Sequence, residues 1–308
     1  MKNNNQIKLE KIKFIISDLK LNKKIYFAEF LNLNKCITYF EKENFILKFN
    51  FDKTFLNFSI NEEIGYKNRV NFSKIYNIPK YETLLSSEEI HVSKIEFLGK
   101  KKGNYFNGSQ FINNTDFKNN FFKKNVSFYL SNIKKKYDSM LLLEDKKKIN
   151  HEINLFLKNE GEFILPVNIS HGDFVHWNTR IFKSKYYCYD LEQYDEERLY
   201  CYDIIHWYLM PFLQKINFTK SKFFKNKILK LFNIFLKNKL KETFPEFQKT
   251  NYYKFLFLYL FEKKMYYLML INSGNILEKT SSVYYNQLIY LNYTIQRLID
   301  NILKINER

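Results

Sequence analysis

Glycine and proline are scarce in this chain of 308 residues, at seven and four. So few breakers exclude a loop-rich or collagen-like protein and predict long regular elements with short connections. Cysteine is scarcer still. Cys36, Cys188 and Cys201 are an odd number, with no CxxC pair and no histidine at zinc spacing. This excludes a disulfide framework and a structural zinc, and the expected compartment is a reducing cytoplasm. No run approaches the roughly 18 uncharged apolar residues that a membrane-spanning helix needs. The opening MKNNNQIKLEKIKF lacks the apolar stretch of a secretory signal. FLFLYLF at 255–261, bounded by Lys254 and Glu262, reads as a buried helix segment. The expected protein is soluble, with peripheral membrane contact left open.

Apolar residues are abundant by contrast. They make up 45% of the chain and aromatics 19%, enough to exclude disorder over most of its length. The chain is long enough for two modest domains or one large one. Its formal net charge of +18 points to nucleic acid, anionic membrane or a polyanionic substrate. However, the lysines are dispersed. The densest clusters, KKKGN at 100–104 and KKKYD at 134–138, are short and read as solvated surface. That disfavours a nucleic-acid partner, while the phosphates of a nucleotide would gain from the same field.

Residues 1–98 read as mixed and strand-rich. KCITYFEKENFILKFNFDK (35–53) carries two runs of β-branched and aromatic residues around the polar EKEN, which predicts a hairpin. In SINEEIGYKNRV (59–70) the spacings Ile60/Ile64 and Tyr66/Val70 predict a short helix. NIPKYETL and IHVSKIEFLG supply two further strands. GKKKGNYFNG (99–108) holds three of the seven glycines and marks the best boundary. Beyond about 115 helices dominate. One is predicted over 138–159, stopping before Gly161, and others over 202–308 with breaks near Pro211, Pro245 and Gly274. Residues 162–192 read as short strands and loops. The class is α+β, with a small β-rich lobe at 1–98 and a larger, mainly helical lobe at 99–308.

Two stretches carry chemistry. HGDFVHWN (171–178) sets His171, Asp173 and Asn178 beside Phe174, Val175 and Trp177, and YDLE adds Asp190 and Glu192. Phosphoryl transfer from ATP needs one group to orient or deprotonate the attacking hydroxyl, and oxygen ligands for Mg²⁺. An Asp and an Asn five positions apart on a loop can serve substrate and metal. FKSK (182–185) would turn a hairpin that returns Asp190 towards Asn178. His176 and His206, beside Trp177 and Trp207, read as packed or exposed imidazoles, and Cys188 and Cys201 as small buried hydrophobes.

HGDFVHWN followed by YDLE resembles the catalytic centre of the aminoglycoside phosphotransferase and choline kinase superfamily, which has a protein-kinase-like fold. LPVNISHGD resembles that family's lead-in to the loop and YCYDIIHW its following helix start; the match covers about 165–207. Within it the WN ending is most similar to kinase-like proteins of bacterial surface-polysaccharide loci. The resemblance implies Asp173 as catalytic base and Asn178 and Asp190 as Mg²⁺ ligands. It implies a metal or phosphate role for Glu192, and His171 and Asp203 as supports of the loop. In the first lobe it implies a phosphate-binding lysine, for which Lys48 is the candidate. Glu62 or Glu63 would be its partner, with Glu63 favoured. Adenine would lie against backbone groups near Glu96, Phe97 and Leu98. The chain departs from the protein-kinase pattern in having no glycine before Gly65, hence no glycine-rich loop ahead of Lys48.

The implied activity is that of an ATP- and Mg²⁺-dependent kinase for a hydroxyl of a small molecule, a sugar or sugar derivative of a surface polymer. The alternatives are an aminoglycoside- or choline-type kinase, with DLEQYDEER (190–198) as part of an acidic acceptor surface, and a pseudokinase scaffold. From a different class comes a basic module for nucleic acid or a membrane surface.

Overall fold

The computed structural model describes residues 4–19, 27–32, 35–40, 44–51, 53–68, 77–99, 122–183, 185–217, 234–241, 251–272 and 282–305. The chain forms two compact units, 1–103 with 177–193, and 104–176 with 194–308. Residues 177–193, placed with the helical lobe by the sequence, therefore join the first unit. Their backbone is tied there: the Cys188 N–H donates to the Asn77 carbonyl at 2.8 Å, and the Asn77 amide donates to the Tyr186 carbonyl at 2.9 Å.

The first unit is built on an antiparallel sheet in the order β1-β2-β3-β5-β4. Its strands are β1 Phe27–Asn32, β2 Lys35–Phe40, β3 Phe45–Asn50, β4 Tyr81–Ser86 and β5 His91–Glu96. Strand alternation divides β3 between two faces. Phe45, Leu47 and Phe49 join an apolar cluster with Ile12, Ile15 and Ile16 of α1 (Asn4–Asp18). The opposite face carries Ile46, Lys48 and Asn50, and every residue of β3 is buried. On that polar face the Asn50 amide donates to the Ser59 hydroxyl of α2 (Lys53–Lys67). This helix begins earlier than its apolar spacing predicts and turns a different stripe inward. Ser59, Glu62 and Tyr66 are buried, whereas Ile60 and Ile64 are exposed. The hairpin of β8 (Thr179–Phe182) and β9 (Lys185–Cys188) completes the unit.

The second unit has a three-stranded sheet in the order β10-β7-β6, from Asp195–Leu199, Ile164–Ser170 and Phe122–Asn125. Its helices include α3 Val126–Tyr137, α4 Leu143–Glu160, α5 Tyr202–Asn217, α6 Asn251–Asn272 and α7 Ser282–Ile305. Residues 138–140 form a separate 3₁₀ turn, so the helix predicted from 138 starts at 143. It stops where predicted: Gly161 has φ +69° and donates to the Leu157 carbonyl.

Pro211 does not break the chain but lies inside α5. A proline there forfeits one backbone hydrogen bond and costs about 3 kcal/mol. Burial of Trp207, Tyr208, Leu209, Met210 and Leu213 around it outweighs that cost. The breaks expected near Pro245 and Gly274 lie outside the described residues. The 255–261 run is buried in α6, as predicted, but burial continues through Glu262, Lys263 and Lys264. Successive positions lie about 100° apart on a helix, so each faces its own partner. Glu262 accepts from Arg198 Nε at 2.8 Å, Lys263 donates to the Gly172 carbonyl at 2.9 Å, and Lys264 donates to Glu152 at 2.6 Å. The three cysteines are free and buried. No described helix is long and apolar enough to cross a membrane.

Candidate active site

In the first unit the chemistry gathers on Lys48. Its ammonium is 2.8 Å from Glu62 Oε2, 2.8 Å from Asp190 Oδ1 and 2.6 Å from Glu192 Oε1. Burial opposes its charge, but Asp190, Glu192 and Glu62 outweigh burial and hold the lysine well above its ordinary pKa. Lys35 adds a second cation, 2.6 Å from Glu192 and 3.5 Å from Asp190. Register explains the pairing of the two lysines. On β2 and β3, Lys35 lies opposite Asn50 and Ile37 opposite Lys48, so both lysines project from one face. Two ammonium groups thus meet three carboxylates in a largely buried cluster.

The partner of Lys48 is Glu62, a correction to the expectation of Glu63. Glu63 lies one position further round α2 and pairs with Lys67 at 2.5 Å, four residues along the same helix. The Lys67 hydrogen bond holds the Glu63 carboxyl below the ordinary glutamate value. One residue of offset turns a helical side chain by about 100°, enough to exchange a buried partner for a solvated one.

Asn178 and Asp190 are set by the β8–β9 hairpin. Thr179 lies opposite Cys188, and the Tyr189 N–H donates to the Asn178 carbonyl at 2.9 Å. Both residues therefore stand at the open end of one hairpin. Asp190 adopts φ +65°, the left-handed region that aspartate tolerates better than most residues. Among the described residues no group of three or more His, Cys, Asp or Glu forms a closed metal cage. Mg²⁺ is commonly held by one or two carboxylates together with phosphate oxygens and water. Asn178 and Asp190 are the residues that would hold it, with Glu192 beside them.

Glu96 ends β5, and Leu98 lies two residues beyond it. The Leu98 N–H donates to the Tyr189 hydroxyl at 3.1 Å, and that hydroxyl donates to the Glu96 carbonyl at 3.0 Å.

In the second unit the 171–173 loop is held from α5. Asp203 Oδ1 accepts from the Ser170 hydroxyl and the Gly172 N–H at 2.9 Å each, and Oδ2 accepts from the His171 N–H at 2.7 Å. His171 is fully buried, and its Nδ1 accepts from the Asp173 N–H at 3.3 Å. Gly172 has φ +81°, a conformation that a side chain would strain. These bonds fix the backbone around Asp173.

Asp173 Oδ1 lies 2.8 Å from His206 Nε2, and His206 Nδ1 lies 2.8 Å from the Tyr259 hydroxyl. Burial, reinforced by the Lys263 cation, lowers His206 to about 4, so the ring is neutral at pH 7. A carboxylate only accepts; Nε2 therefore carries the proton, and Nδ1 accepts from Tyr259. Burial also lowers Lys263 to about 8, opposed by the Asp173 carboxylate.

A pH effect on stability follows. Unfolded His206 binds a proton near pH 6.5 and folded His206 only near 4, so acid favours the unfolded chain across that window. Stability present above pH 6.5 is lost as pH falls towards 4, by on the order of 3 kcal/mol from this group. Denaturant unfolding of the parent and of His206→Gln should show the variant losing less stability between pH 7 and pH 4.5. Equal acid slopes would contradict the assignment.

Four contributors escaped the sequence reading. Lys35 follows from the register of the predicted hairpin, had it been counted through. His206, expected to be a packed or exposed imidazole, is packed, but its bond to Asp173 was not foreseen. Lys263 and Tyr189 had no local signal, because their partners lie 91 and 91–93 positions away.

No family model matches the sequence, and no curated protein matches it. Solved structures do. The choline kinase LicA from Streptococcus pneumoniae is 12% identical, with 95% of this chain and 99% of that chain covered at a TM-score of 0.59. A thermostable aminoglycoside phosphotransferase mutant in ternary complex with ADP and hygromycin B is 10% identical, covering 95% and 97% at 0.54. An amicoumacin kinase in complex with AMP-PNP and Ca²⁺ is 13% identical, covering 95% and 93% at 0.51. At such identities the likeness speaks to architecture: the chain has the α+β, protein-kinase-like fold of the choline kinases and aminoglycoside phosphotransferases.

Proposed function

We propose that this protein is an ATP- and Mg²⁺-dependent phosphotransferase acting on a hydroxyl group of a small molecule. The observation that carries the reading is Lys48, buried on a strand and braced at 2.8 Å by both Glu62 and Asp190. A cation so fixed is suited to the phosphates of a nucleotide, and Lys35 beside it adds the charge that a glycine-rich loop would supply through backbone amides. When bound, Mg²⁺ would offset the charge on the transferred phosphoryl group. Asp173 takes the proton of the acceptor hydroxyl as the new O–P bond forms and the bond to the ADP leaving oxygen breaks. His206 holds Asp173 in place from Nε2–H.

Three of the groups that turnover requires, Lys48, Asp173 and Asp190, are all present, which favours a working enzyme over a pseudokinase scaffold. We favour a neutral or anionic acceptor, such as a sugar derivative of a bacterial surface polysaccharide, over a cationic one of aminoglycoside or choline type. The acidic run 190–198 faces cations of the protein itself. Asp190 and Glu192 face Lys48 and Lys35, Asp195 pairs with Lys136 at 2.7 Å, and Glu197 pairs with Lys124. Little of that charge is left for a cationic ligand.

The test is ³¹P NMR of the protein with ATP, Mg²⁺ and acceptor panels of sugars, aminoglycosides and amino alcohols. The expected result is a phosphomonoester resonance in the sugar panel, growing with ADP. Transfer only to the aminoglycosides or amino alcohols would overturn the acceptor class. No transfer to any panel, together with a nucleic-acid affinity that falls steeply with salt, would favour the basic binding module.

A further inference from the structure

The Tyr189 hydroxyl accepts from one backbone group and donates to another two residues away, at 3.1 and 3.0 Å. Adenine presents the same pair along one edge, N1 as acceptor beside the N6 amino donor. The Leu98 N–H and Glu96 carbonyl are thus matched to an adenine edge and already bonded to a side chain that imitates it. Several contacts hold the tyrosine there. Its own N–H is bonded to Asn178, the Arg180 guanidinium lies 5.6 Å from the ring centroid, and Asp190 follows in the left-handed turn.

We propose that Tyr189 competes with the nucleobase: its hydroxyl stands in for the adenine edge on Glu96 and Leu98, and ATP binds these groups only by displacing it. This rests on the phosphotransferase reading and adds to it a residue that sets nucleotide affinity. The competition weakens binding of the base while leaving the phosphates, held by Lys48 and Lys35, untouched.

Tyr189→Phe keeps the ring and removes the hydroxyl. The Leu98 N–H and Glu96 carbonyl, both in part-buried bonds, then lack this partner until a base arrives, and an unmet pair away from water costs more than a net hydrogen bond contributes. Calorimetric titration of the parent and the variant with ATP, AMP and inorganic tripolyphosphate separates the effects. ATP and AMP should bind about tenfold tighter to the variant, with tripolyphosphate unchanged. If the phenylalanine variant does not fold, Tyr189→Leu, which also lacks the hydroxyl, takes its place with the same expected gain. Equal or weaker binding of AMP and ATP by the variant, with tripolyphosphate still bound, overturns the competition and leaves the phosphotransferase reading standing. Failure of the parent and the variant alike to bind ATP or tripolyphosphate overturns both.

Discussion

Replacing Asp173 by asparagine should lower the rate of phosphoryl transfer about 10²- to 10⁴-fold, the usual contribution of a positioned general base. The amide cannot take the acceptor proton. Its oxygen can still accept from His206 Nε2, and the backbone around it stays bonded to His171 and Asp203. The variant should keep its fold but melt lower than the parent, because the fully buried Lys263 loses the carboxylate that most supports its charge. The loss should fall on kcat, with ATP affinity unchanged, because Lys48 and Lys35 belong to the other unit. A variant as fast as the parent would remove Asp173 from the chemistry. A drop in ATP affinity of the same size would show that the residue serves binding.

Replacing Lys48 by methionine should have the largest combined effect. It would leave Glu62, Asp190 and Glu192 facing one another with only Lys35 among them. Glu62 is fully buried, and its Oε1 has no hydrogen-bond partner. Breaking a buried ion pair on one side costs about 3–5 kcal/mol, because the surviving charge is left desolvated. Denaturant unfolding should show that loss, and ATP binding should disappear with it. The double variant Lys48→Met with Glu62→Gln separates the two effects. Removing the stranded charge should recover part of the stability but none of the nucleotide affinity. Full recovery of binding would mean that Lys48 only supports the fold.

What the sequence disclosed, and what it hid, follows from the range of each interaction. Lys48 was legible because β3 alternates, and the hairpin around EKEN fixed which face it would take. The same register placed Lys35 beside it, a consequence available from counting alone. The choice between Glu62 and Glu63 was not to be read from Ile60 and Ile64. They have helical spacing yet point to solvent, while α2 turns Ser59, Glu62 and Tyr66 inward. Apolar periodicity assumes that the buried stripe is the greasy one. That fails where a strand offers a lysine to be neutralised. The supports of the 171–173 loop came from the resemblance of HGD and Asp203 to the family's motif, not from their spacing, since Asp203 lies 31–33 positions from its partners. His206 and Lys263 reach the same loop from α5 and α6, and no local pattern encodes contacts at such separations. Pro211 misled in the opposite sense, since a breaker is tolerated where its neighbours are deeply buried.

The most direct measurement is calorimetric titration of ATP with and without Mg²⁺, carried out on the parent and on Asp190→Asn. The account predicts that Mg²⁺ tightens binding to the parent at least tenfold, and that the variant loses most of this gain while still binding metal-free ATP. Binding to the parent that ignores Mg²⁺, or an undiminished Mg²⁺ effect in the variant, would contradict it.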